Sequence, residues 1–165
     1  MASEAFKGEF YQKVDSKARV SIPAAMRRVL EQGDPPEGER TRARVIMVYG
    51  DGKKFAQCYS MRGVQALYDM IAAHPIGKRR DDLELAFVSR SAEVEIDEDG
   101  RLVLPPKVRA RMGVTPEVLA QGFTAAFVGK LDRFELWSGD TYDAATTGFE
   151  DDETDYRALL ALPQP

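Results

Sequence analysis

One stretch of this chain occurs twice, 82 residues apart, and no other feature constrains its fold as tightly. Val14-Asp15-Ser16-Lys17-Ala18-Arg19-Val20-Ser21-Ile22-Pro23-Ala24-Ala25-Met26-Arg27 returns as Ile96-Asp97-Glu98-Asp99-Gly100-Arg101-Leu102-Val103-Leu104-Pro105-Pro106-Lys107-Val108-Arg109. Asp, Arg, Pro and the closing Arg are identical at that offset, and Val14, Val20, Ile22 and Met26 answer to Ile96, Leu102, Leu104 and Val108. Each copy is one supersecondary unit with an apolar side that needs a neighbour, so the duplication calls for a shared core.

Within each copy the local chemistry predicts strand, turn, strand and short helix. Glu9 to Val14 mixes aromatic and branched residues, and Val20-Ser21-Ile22 alternates apolar with polar; both read as strands. The residues between them must turn. Asp97-Glu98-Asp99-Gly100 states this plainly, because Asp-Gly is a hairpin signal and glycine accepts a positive φ without cost. Ala18 stands where the second copy has Gly100, which implies strain or a different turn type. Asp15 and Asp97 are expected to shape the turns by accepting backbone N–H bonds. Pro23 and Pro105 then open helices over Ala24 to Gln32 and Pro106 to Met112, with Gly33 and Gly113 just past their ends.

A second strand pair follows each unit: Arg44 to Tyr49 with Phe55 to Tyr59, and Ala125 to Val128 with Arg133 to Trp137. The first half has four extra residues, assigned to a surface connection at Gly33 to Arg40. Ser60 and Ser138 are placed to cap helices over 61–73 and Thr141 to Thr147, and a further helix is expected over 78–90 with Leu83, Ala86 and Phe87 inward. Four short strands per half are too little sheet to stand alone. The expected fold is therefore mainly β with peripheral helices (α+β), the two halves interleaved into one β core. The expected units are 6–60 as the first repeat, 61–90 as a helical connection, 91–138 as the second repeat and 139–165 as an acidic helical tail.

Composition narrows the function classes. No apolar run approaches the roughly 20 residues of a membrane span, and Met1 to Lys7 lack an apolar leader, so a cytosolic protein without a membrane partner is expected. Cys58 is the only cysteine and His74 the only histidine; together they cannot form a zinc cluster. Cys58 lies among strand residues and reads as a buried thiol. No Walker loop or Gly-x-Ser-x-Gly elbow occurs. Asp97, Glu98 and Asp99 are too few and too close for a calcium loop. No cofactor, metal, small-molecule substrate or enzymatic activity is expected. The net charge is −4, but residues 139–165 alone carry −6, leaving +2 on the body and +3 over residues 1–28. A local basic face attracts phosphates even on an acidic molecule.

The order of these elements resembles the MraZ family, a two-copy relative of the AbrB/SpoVT swapped-hairpin proteins. The resemblance is carried by Phe6-Lys7-Gly8, Asp15-Ser16-Lys17-Ala18-Arg19 with Ile22-Pro23, Asp97 with Gly100-Arg101 and Leu104-Pro105, and Lys130 through Phe134-Glu135-Leu136-Trp137. It covers Phe6 to about Trp137; Ala18 departs from the glycine usual there. It implies two AbrB/SpoVT-like swapped-hairpin β-barrel repeats forming an intrachain pseudo-dimer. It also implies a nucleoid-associated transcriptional regulator that binds short direct repeats in double-stranded promoter DNA of the division and cell-wall gene cluster. A ring-shaped homo-oligomer is implied as well.

For Arg19 and Arg101 the residues admit two readings. Each guanidinium could pair with its preceding Asp, or read guanine edges and phosphates, where a good base contact discriminates by roughly 1–3 kcal/mol. The first copy is the better reader, because its turn carries Lys17 with Lys13 nearby, whereas the second carries Glu98 and Asp99. The expected DNA contacts are Arg19, Lys17 and Lys13, with Arg101 contributing less. Arg27 is added from the first helix, although Arg27 and Arg28 also read as a solvated face, as do Arg79 and Arg80. The acidic run Glu150-Asp151-Asp152-Glu153 reads as solvated or as a competitor for the basic turns. The rival to DNA binding is a structural or protein-interaction β-barrel module with all four motif charges paired internally.

Overall fold

The two repeats exchange strands. A computed structural model describes residues 5–165; Met1–Glu4, part of the stretch read for a leader, lie outside the described residues. The elements in chain order are β1 (Glu9–Val14), β2 (Arg19–Ser21), α1 (Ala24–Gln32), β3 (Arg44–Val48), β4 (Ala56–Tyr59), α2 (Gly63–Ala72) and α3 (Lys78–Glu84), which runs into a π-helical turn at Leu85–Ser89. The second half adds β5 (Ser91–Glu95), β6 (Arg101–Val103), α4 (Pro106–Arg111), α5 (Pro116–Gln121), β7 (Phe123–Gly129), β8 (Phe134–Ser138) and α6 (Gly139–Thr146).

Six strands form one antiparallel sheet in the order β1-β7-β8-β4-β3-β5, and β2 pairs with β6 in a separate ribbon. Replacing each strand by its counterpart in the other repeat returns the same order reversed, so the chain is an intrachain pseudo-dimer. β1 pairs with β7 of the second repeat, Val14 opposite Phe123. β5 pairs with β3 of the first, Glu95 opposite Arg44. This corrects the simplest use of the Asp-Gly signal: each turn connects a strand of the large sheet to a strand of the ribbon, and β1 and β2 do not pair as a hairpin.

The swap follows from burial. Val20 and Leu102 sit opposite each other on the inner face of the ribbon, about 1% exposed. A three-residue strand has too little apolar surface to stand alone, and pairing with its copy removes both branched side chains from water, worth roughly 1.5–3 kcal/mol each. They join one core with Ile22, Met26, Leu30, Leu104, Val108, Met112, Phe127 and Phe134, drawn from both repeats. Pro23 and Pro105 stand one residue before α1 and α4 in extended conformation, and Pro106 takes the first helical position of α4, as its fixed φ allows. Cys58 is fully buried in the same core, and burial pushes its thiol up.

Several local expectations change on contact with tertiary structure. The loop Gly33 to Arg40 is more than a surface connection, because Asp34 is buried and accepts from the Arg44 backbone N–H and from Arg44 Nε and Nη2, each at 2.9 Å. The Arg44 side chain, assisted by its backbone N–H and by Arg40, holds the Asp34 carboxyl below its ordinary value. The helix over 78–90 changes to a π turn at Leu85, and Leu83, Ala86 and Phe87 are only half-buried. Ser60 caps α2 through Gly63 N–H, at 2.8 Å, whereas Ser138 makes no side-chain cap. Helix α5, with Thr115 as its cap, has no counterpart in the first repeat and was not expected.

Helix α6 is tied to the sheet by two phenols. Tyr11 Oη donates to Asp143 Oδ1 at 2.6 Å, and Tyr142 donates to Glu9. The bond to Asp143 holds the Tyr11 hydroxyl up at about 12. Past α6 the acidic tail makes two single 3-10 turns, Phe149–Asp151 and Ala158–Leu160, and every residue from Asp143 onward is exposed. No helix among the described residues is long and apolar enough to cross a membrane.

Candidate nucleic-acid interface

Both Asp turns have the same backbone. Ala18 N–H donates to the Asp15 carbonyl at 2.9 Å, and Gly100 N–H to the Asp97 carbonyl at 3.0 Å. Asp15 Oδ1 accepts the N–H groups of Lys17 and Arg19 at 3.0 and 2.9 Å. Asp97 Oδ1 accepts those of Asp99 and Arg101, both at 2.9 Å. The backbone bond from the arginine N–H leads in holding each carboxyl below its ordinary value. Ala18 adopts φ 63 and Gly100 φ 75, so the first turn keeps the left-handed geometry and carries the strain that a side chain brings to it.

The two turns lean on each other. Ile22 N–H donates to the Gly100 carbonyl at 3.0 Å and Leu104 N–H to the Ala18 carbonyl at 2.9 Å. In the ribbon between them Arg19 lies opposite Val103 and Ser21 opposite Arg101. Since alternate residues share a face, Arg19, Ser21, Arg101 and Val103 all project away from Val20 and Leu102. The two arginines are offset by two positions on this face, about 7 Å along the ribbon. The fold thus brings residues 82 apart in sequence onto one surface.

The turns differ in charge. Residues 13–19 carry a net +2 and residues 95–101 a net −3. Arg19 Nε meets Asp15 Oδ2 at 2.7 Å, yet its side chain is 39% exposed and its terminal nitrogens make no hydrogen bond among the described residues. The pairing and the outward display coexist. Lys13 and Lys17 are exposed, and no carboxylate among the described residues lies within 4 Å of either ammonium. Arg101 is held by two carboxylates, with Nη2 donating to Asp99 at 3.1 Å and Nε 3.6 Å from Asp97. Arg42, beside that turn, lies 3.7 Å from Glu95 and 3.9 Å from Glu98.

Arg27 does not join the first turn. Its Nη1 stands 1.8 Å from the point where a Cβ on Gly100 would lie, so its guanidinium rests on the second turn, with Glu31 at 3.5 Å. Its counterpart Arg109 donates instead to the Leu104 carbonyl. Arg28 and Arg79 are exposed, and Arg80 turns back to the carbonyls of Ala72 and His74. The structure therefore groups Lys13, Asp15, Lys17 and Arg19 in one cluster and Arg27, Asp97, Gly100 and Arg101 in another. Sequence reasoning missed Arg42 and Asp34. No local signal pointed to Arg42, because it reaches the second turn only through the pairing of β3 with β5. No group of three or more His, Cys, Asp or Glu side chains among the described residues is arranged to hold a metal ion.

These features define a duplicated α+β protein whose two repeats exchange strands in one antiparallel sheet and share a two-stranded ribbon. A family model described as "MraZ protein, putative antitoxin-like" matches residues 87–160. The transcriptional regulator MraZ of Cereibacter sphaeroides (strain ATCC 17025 / ATH 2.4.3) is 45% identical over 150 residues, covering 90% of this chain and 89% of the relative. That of Ruegeria sp. (strain TM1040) is 41% identical over 140 residues, 84% and 80% of the two chains. That of Parvibaculum lavamentivorans is 31% identical over 166 aligned positions, 96% and 91%. The chain belongs to the MraZ family of transcriptional regulators.

Proposed function

We propose that the chain binds double-stranded DNA sequence-specifically through the exposed face of the β2–β6 ribbon, with Arg19 the principal reader and Lys17 and Lys13 the phosphate contacts. One observation carries this reading: two arginines stand on one face of a two-stranded ribbon, and the turn bearing Arg19 keeps a net positive charge, with no hydrogen bond to the Arg19 terminal nitrogens among the described residues. A two-stranded β-ribbon fits the major groove, and an arginine fork matches guanine O6 and N7. Arg101, bound by Asp97 and Asp99, acts chiefly to brace the second turn, and Arg27 supports that turn from α1.

The chain acts by occupying a promoter, without chemistry of its own, in the cytoplasm on the nucleoid. One ribbon binds weakly. A homo-oligomeric ring engaging several direct repeats gains roughly 10²–10⁴ in avidity with no new contact. The operator class is the one implied by the family resemblance, short direct repeats before the division and cell-wall gene cluster.

A gel shift with the DNA upstream of the chain's own coding sequence, across a salt series, tests the reading. The logarithm of the affinity should fall linearly with the logarithm of the salt concentration as phosphate counterions are released. Absence of a shift with both its own and foreign promoter DNA would favour the protein-interaction module instead.

A further inference from the structure

The proposed DNA face contains one residue whose chemistry the arginines do not explain. Val103 is 53% exposed at one end of the ribbon, directly opposite Arg19 and two residues from Arg101 on the same strand. Parity fixes its direction, because Leu102 beside it is buried in the core. A duplex read by Arg19 lies beside this side chain, the direct cross-strand neighbour of Arg19. Its counterpart in the first repeat, Ser21, is also exposed but polar, so the apolar contact has only one sense along the ribbon.

A branched apolar side chain cannot answer a base-edge donor or acceptor. Facing one, it would leave that group desolvated and unpaired, which disfavours the pairing. The major-groove edge of thymine is the exception, since it presents a C5 methyl group. We propose that Val103 is a specificity-determining residue that selects a thymine methyl next to the base pair read by Arg19. The inference rests on the DNA-binding reading above and adds a chemical identity at one position, with an orientation set by the Val103/Ser21 difference.

Replacing thymine by deoxyuridine removes that methyl and leaves every hydrogen-bonding group in place, which makes it the natural probe. Duplexes carrying the upstream sequence are prepared with each thymine changed singly to deoxyuridine, and binding is measured at fixed salt. The unaltered chain should lose about fourfold at one thymine per repeat, the value of one buried methyl group. Val103→Ala should bind the thymine and deoxyuridine duplexes equally, and its salt slope should be unchanged because no phosphate contact is lost. The thymine-to-deoxyuridine ratio is taken within one protein, so a lowered stability of the variant cancels. Val103→Thr keeps the branched shape and one methyl, and should keep part of the ratio. Equal binding of all deoxyuridine duplexes by the unaltered chain, or a full ratio retained by Val103→Ala, would overturn the assignment while leaving DNA binding intact. No binding by the unaltered chain to any duplex would overturn both.

Discussion

At the residue scale, Asp15 and Arg19 do two jobs with one contact. The carboxylate fixes the turn by accepting two backbone N–H groups, and it orients the guanidinium through Nε while the outer nitrogens take no hydrogen bond among the described residues. Because the folded carboxyls of Asp15 and Asp97 lie below their ordinary value, their stabilisation is present above the unfolded carboxylate pKa of about 3.9 and lost as pH falls through the folded one. Asp15→Asn keeps an acceptor oxygen and removes the charge. Acid unfolding followed by circular dichroism should therefore show a shallower loss of stability below about pH 4 in this variant than in the parent. An identical acid limb would mean that the Asp15 charge is idle in the folded state.

At the element scale, the repeats tolerate one exchange that local rules disfavour. Ala18 holds a left-handed conformation costing roughly 1–2 kcal/mol. Its methyl is 2% exposed, recovering about 0.8 kcal/mol by burial, and alanine also narrows the unfolded ensemble by about 0.4–1 kcal/mol relative to glycine. These terms nearly cancel. Ala18→Gly should change stability by less than about 1 kcal/mol in urea denaturation, whereas Ala18→Val, branched at a positive φ, should cost more than about 2 kcal/mol. Gly100→Ala brings a methyl against the Arg27 guanidinium, so its cost should shrink when combined with Arg27→Ala. A coupling of about 0.5 kcal/mol or more in the double-mutant cycle is expected, and strict additivity would contradict the contact.

Much of each element was legible locally. The helix at Ala24 to Gln32 is bounded by Pro23 and Gly33, and the strand pairs follow from branched and aromatic runs. The Asp turns are visible as Asp-x-x-x-Arg. Strand partnership was not, because Glu9 to Val14 has the same pattern whether it pairs with its neighbour in sequence or with β7. What decides is the distant burial of Val20 against Leu102. Buried Asp34 was hidden for the same reason, since its loop is polar throughout and only Arg40 and Arg44 make the carboxylate tolerable inside. At the candidate site the charge difference between the turns could be read directly from Lys13 and Lys17 against Glu98 and Asp99. The placement of Arg27 on the second turn required the exchange.

At the scale of the whole molecule, neither repeat has a complete sheet. Among the described residues β1 pairs with β7 alone and β5 with β3 alone. Separate chains of residues 1–77 and 78–165 should each lack a cooperative melt, and mixing them should restore one; a cooperative melt from either half alone would contradict the shared core. The exposed tail carries the strongest negative charge of the chain and is anchored by Asp143 to Tyr11 on β1, the strand that leads to Lys13 and the first turn. A chain ending at Phe149 should bind promoter DNA more tightly than the full chain at low salt. Equal affinity would assign the acidic run to solvent alone.

The unequal turns are the centre of this account, and one comparison reaches them directly. Binding of the upstream duplex is measured for the parent, Arg19→Ala and Arg101→Ala at the same series of salt concentrations. Arg19→Ala should lose about 1–3 kcal/mol of affinity, while Arg101→Ala, whose guanidinium is already held by Asp97 and Asp99, should lose clearly less. Unchanged affinity in Arg19→Ala together with abolished binding in Arg101→Ala would contradict it.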